Sequence, residues 1–151
     1  MHFLPIPAEI ANEARAKRRD RFGHRLSITK TQAPCRLCLR ISTAAEDLIL
    51  LSYQPCADTG PYAEIGPIFI HADPCTPYSA IGVFPEDFST RSLVLRAYGN
   101  DGHIVDAAVV GPGKAADRAA DFLSDANVAE VHVRHVSYTC YDFKIVRGST
   151  A

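Results

Sequence analysis

Hydrophobic and polar positions along the chain change period several times, and each change marks an expected element. Ile6, Ile10 and Ala14 recur at helical spacing behind Pro7, with Glu9 at the positive end, which predicts a first helix over Pro7 to Asp20 closed by Gly23. Leu26 and Ile28 allow a short extended segment before Pro34. Cys35 to Ser42 and Leu48 to Tyr53 read as two strands joined by a polar connection, hence a hairpin. Leu48-Ile49-Leu50-Leu51 is apolar at every position, so that strand is expected to be central and covered on both sides. Ile65 to His71 is a further strand, which Pro67 confines to an edge or to a start after the proline.

From Ala72 to Thr90 the chain is rich in Pro, Asp and Ser and has no period, which predicts a long irregular connection. A hairpin follows, Leu93 to Tyr98 and Ile104 to Val110 around Gly99-Asn100-Asp101-Gly102. Gly111-Pro112-Gly113 then opens a helix to about Ser124 with Ala116, Ala119, Ala120 and Leu123 on one face. In Val131 to Val136 the two-residue period sets Val131, Val133 and His135 against His132, Arg134 and Val136, and Tyr141, Phe143 and Ile145 repeat the alternation. The order predicts a single α+β domain on a mostly antiparallel sheet, over residues 1–151.

Composition adds bounds. A chain of 151 residues can bury enough surface to fold as one domain. Its net charge of −1 argues against a dedicated nucleic-acid partner. The charge is unevenly spread, however: Arg15, Lys17, Arg18, Arg19, Arg21 and Arg25 stand against Asp20 alone, which reads as a solvated helix end and a basic loop. No apolar run approaches the roughly 20 residues needed to cross a bilayer, and the proline-broken start is unlike a secretory signal. Five cysteines, an odd number, fit reduced thiols better than a disulfide framework, so a cytoplasmic location is expected.

Two pairs carry the sharpest chemical signal. Cys35-x-x-Cys38 and His71-x-x-x-Cys75 offer three soft thiolates and an imidazole, the donor set of a tetrahedral zinc site, provided that two distant stretches meet. The plain alternative is a set of small buried thiols. A thioredoxin-like role for Cys35 and Cys38 would need a helix start, whereas the residues that follow read as a strand. Glu64 and His71, with Tyr62 nearby, form a second candidate: a carboxylate and an imidazole sharing acid and base work around Gly66-Pro67. Gly111-Pro112-Gly113-Lys114 lacks the spacing of a phosphate loop and reads as a turn. His132, Arg134 and His135 either line a polar sheet face or divide, with His132 and Arg134 solvated and His135 a hydrogen-bonded core histidine.

Four blocks in order, Pro34-Cys35-Arg36-Leu37-Cys38-Leu39, Gly60 to His71, Leu95-Arg96-Ala97-Tyr98 and Val131-His132-Val133-Arg134, with Cys140-Tyr141-Asp142-Phe143 closing them, resemble a bacterial family catalogued as domain of unknown function 1203. The resemblance covers residues 33–147 and leaves 1–32 as an N-terminal extension. It implies a similar compact fold and transfers no activity. The function expected from the residues is therefore a small-ligand- or zinc-binding domain, with a small enzyme built on Glu64 and His71, or a module that forms a homodimer through an exposed strand, as the alternatives.

Overall fold

A computed structural model describes residues 1–56 and 60–149. Among the described residues eight strands and three helices follow one another in the order β1 (His2–Leu4), α1 (Ala8–Lys17), β2 (Ile28–Lys30), β3 (Asp47–Tyr53), β4 (Gly66–His71), α2 (Glu86–Ser89), β5 (Leu93–Tyr98), β6 (Ile104–Val110), α3 (Ala115–Ser124), β7 (Glu130–His135) and β8 (Tyr141–Val146). They form two antiparallel sheets, one of five strands in the order β1-β8-β7-β5-β6 and one of three in the order β2-β3-β4. The α+β class and the antiparallel sheet expected from the sequence are thus present.

Each sheet has its own core. Leu93, Leu95, Val131, Val133, Phe143 and Ile145 of the larger sheet pack against α3 and Phe88 of α2. Ile49, Leu51, Ile68 and Ile70 of the smaller sheet pack with Ala11 and Ala14 of α1 and with Cys35, Leu37 and Cys38. The α3 face is Ala115, Ala119, Phe122 and Leu123, the i, i+4, i+7, i+8 stripe, whereas Ala120 faces solvent.

Several expectations are corrected. Cys35 to Ser42 is no strand: Leu39 takes a left-handed backbone (φ 56°), its N–H returns to Cys35 O at 2.9 Å, and the chain closes into a loop bridged at Pro34 and Ile41. The expected hairpin between this segment and β3 therefore does not form, and β3 pairs with β2 and β4 instead. β3 is central, as its apolar run suggested, but Leu50 is 44% exposed, so one of its faces is not fully covered. β4 lies at an edge, where Pro67 costs no ladder bond inside the sheet. α1 ends at Arg18 (φ 50°) rather than at Gly23, because Arg18 adopts the left-handed cap itself and returns its N–H to Ala14.

Two further departures shape the site. β1 is a strand that no sequence period announced, and it covers the β8 edge. The register of β7 against β8 slips between Val133 and Arg134: Val133 faces Phe143 and Arg134 faces Tyr141, leaving Asp142 as the extra residue of a bulge. The bulge breaks the expected alternation, so Phe143 and Ile145 join the core of the larger sheet while Tyr141 joins that of the smaller. His132 and Arg134, solvated on one reading of the sequence, are buried on the face that this second core covers.

Candidate metal centre

Local chain geometry brings the two Cys/His pairs together. Cys35 bridges Phe69 of β4 in parallel, and the Arg36 N–H donates to Phe69 O at 3.0 Å, so loop 33–42 is stitched along β4 as it runs toward His71. Beyond β4 the chain turns back, and the Tyr78 N–H donates to Leu37 O at 2.9 Å, which carries Cys75 to the same place. The ligand atoms of Cys35, Cys38, His71 and Cys75 all lie within 4.8 Å of one another. Cys35 Sγ is 3.8 Å from Cys75 Sγ, and Cys38 Sγ is 3.5 Å from His71 Nδ1.

Those separations have a metric meaning. A tetrahedron with zinc–sulfur bonds of about 2.3 Å and a zinc–nitrogen bond of about 2.0 Å has edges of about 3.8 Å between sulfurs and about 3.5 Å between sulfur and nitrogen. Both observed contacts match the edges of that figure. The other nitrogen of the ring, Nε2, lies 3.5 Å from Glu46 Oε1, within ion-pair reach although not aligned as a hydrogen bond, and a carboxylate there suits an imidazole that binds metal through Nδ1.

The surroundings favour thiolate. The His71 N–H donates to Cys35 Sγ at 3.4 Å, and Arg15 Nη2 donates to Cys75 Sγ at 3.4 Å while its Nε donates to His71 O at 3.1 Å. Hydrogen bonds from the Cys38 and Cys75 side chains hold the Cys35 thiol far below its ordinary range. The same sharing pushes the Cys38 and Cys75 thiols up, and a bound metal ion would favour the thiolate form of all three. The neighbouring Cys38 side chain holds the Arg40 guanidinium above its ordinary range. Arg15, Arg40 and Glu46 were not singled out from the sequence for this chemistry: Arg15 stood there in a basic segment, Arg40 in an expected strand and Glu46 in a polar connection.

The second candidate set is not assembled. Glu64 is gripped by Arg96 Nη1 (3.0 Å) and Arg134 Nη2 (3.0 Å), and His71 shares neither of these partners. Burial would raise the Glu64 carboxyl, but the two guanidinium groups bring it below the ordinary carboxylate range. Tyr62 is exposed and meets the His103 ring edge-on at 5.6 Å.

A different group of possible ligands, Cys56, Glu130 and His132, also lies within 4.8 Å. Its charges are already matched, with Glu130 Oε1 2.7 Å from His132 Nε2 and Oε2 accepting from Lys144 Nζ at 3.0 Å. Those two contacts outweigh burial and bring the Glu130 carboxyl down to about 2. The His132 ring packs against Tyr98 and Tyr141, which accounts for its burial.

Arg36, between the two cysteines of the loop, is buried and spans to the other sheet. It donates to Tyr141 O at 2.8 Å and pairs with Asp142 Oδ1 at 3.1 Å. Asp142 Oδ2 lies 2.6 Å from His135 Nδ1.

Among the described residues no helix is long and apolar enough to cross a membrane. No curated protein and no solved structure matches the chain. The sequence profile of the family described as protein of unknown function (DUF1203) matches residues 32–147, which include all four clustered ligands, and the chain belongs to that family.

Proposed function

We propose that this chain is a zinc-binding domain in which Cys35, Cys38, His71 and Cys75 hold one structural zinc ion. The observation that carries the reading is the agreement of the Cys35–Cys75 and Cys38–His71 separations with the edges of a zinc tetrahedron. Four protein ligands close the coordination sphere, so the ion would staple loop 33–42 to the end of β4 and to the segment around Cys75. It would not hold a reactive water. Three thiolates must stay reduced to serve as ligands, which suits a cytoplasmic location.

Elemental analysis of protein purified without chelator and without an affinity metal tests this. The expected result is close to one zinc per chain, with Cys38→Ser losing the metal and at least about 3 kcal/mol of stability. Metal-free protein whose unfolding midpoint does not move when zinc is added would overturn the reading.

A further inference from the structure

A cavity of about 570 Å³ lies between loop 31–41, the smaller sheet and the β7–β8 turn, away from the four clustered ligands, none of which lines it. Ile41, Leu50, Pro67 and Phe69 form its apolar wall. This explains why Leu50, in the centre of the smaller sheet, is exposed: it faces the cavity instead of a packed layer. No aspartate or glutamate lines the space, whereas Arg36, Arg91 and His135 do, and the Arg36 charge is matched by the buried Asp142 behind it. Among the described residues Arg91 has no carboxylate partner, so its positive charge is free for a ligand.

His135 stands differently. Its Nδ1 lies 2.6 Å from Oδ2 of Asp142, a wholly buried carboxylate that also lies beside Arg36, so the ring is not free to offer a second full charge to the cavity in the way Arg91 is. An apolar pocket of several hundred cubic ångströms with a few placed polar groups is the usual form of a small-molecule site. The one uncompensated charge on its wall selects the sign of the ligand.

We infer that this cavity binds a small carboxylic acid with an apolar body, its carboxylate paired with Arg91 and its body lying against Leu50 and Phe69. None of the four proposed ligands lines the site, but Pro34, Arg36 and Ile41 of its wall belong to the loop that zinc would hold in place, so binding is measured with the metal-replete protein.

Isothermal titration of the intact, metal-replete protein with 2-naphthoate and with the uncharged 2-naphthamide tests the inference. Naphthoate is expected to bind one per chain and about tenfold more tightly than the amide, the difference that one charge-assisted pair contributes. Arg91→Gln, a change on the surface, should erase that preference while leaving the amide unaffected. Leu50→Gln, also exposed, should weaken both probes alike. Absence of saturable binding, equal affinity for the two probes, or a preference that survives Arg91→Gln would each overturn it.

Discussion

Arg36 and Asp142 show how much one pair of side chains can be asked to do. The guanidinium is buried against a carboxylate that is itself wholly buried, and its remaining donors reach the carbonyls of Pro34 and Tyr141. Burial lowers the Arg36 guanidinium from its ordinary range, but Asp142 opposes that shift. Removing one member strands the other charge inside the protein, so Asp142→Ala should cost about 3–5 kcal/mol, measured as a fall in the urea midpoint with little change in slope.

Nothing in the sequence announced this pair. A lone arginine between two cysteines reads as a surface residue, and its partner is more than a hundred positions away. The metal ligands were legible for the opposite reason: cysteine and histidine are rare enough, and close enough within each pair, for their chemistry to show before their geometry.

At the level of elements, period served well wherever an element had a single wet face. β5, β6 and α3 lie close to where alternation and helical spacing put them. It failed in loop 33–42, where Cys35, Leu37, Leu39 and Ile41 alternate like a strand, whereas Cys35 to Leu39 are buried without a break by the turn and by β4 beside it. It failed again at Tyr141, since a bulge moves one residue to the opposite face and leaves the letters of the sequence unchanged.

Helix α1 was legible as a helix, yet its task was not. Arg15 leaves it to touch the sulfur of Cys75 and the carbonyl of His71. If zinc sits there, Arg15→Ala removes a contact that orients and neutralises the ligands, and zinc affinity should fall by about tenfold or more in competition with a chromophoric chelator. An unchanged affinity would reduce Arg15 to a packing residue.

For the whole molecule the division into two cores matters most. The four proposed ligands belong to the smaller sheet and its loops, while the larger sheet packs separately on α2 and α3. Stripping zinc with a chelator should therefore speed amide hydrogen exchange in β3 and β4 well before it does so in β5 and β7. Uniform loss of protection across both sheets would show instead that the two cores unfold as one.

The short strand β1 carries a last consequence. It precedes the family-matched residues, yet it pairs along β8, so among the described residues the larger sheet ends in a three-residue strand on one side and in β6 on the other. Joining of two such sheets through β6 would leave only the two β1 borders outside, each too short to template a further sheet. The product would have two-fold symmetry, and the shortness of β1 would disfavour growth into an endless ribbon of sheets.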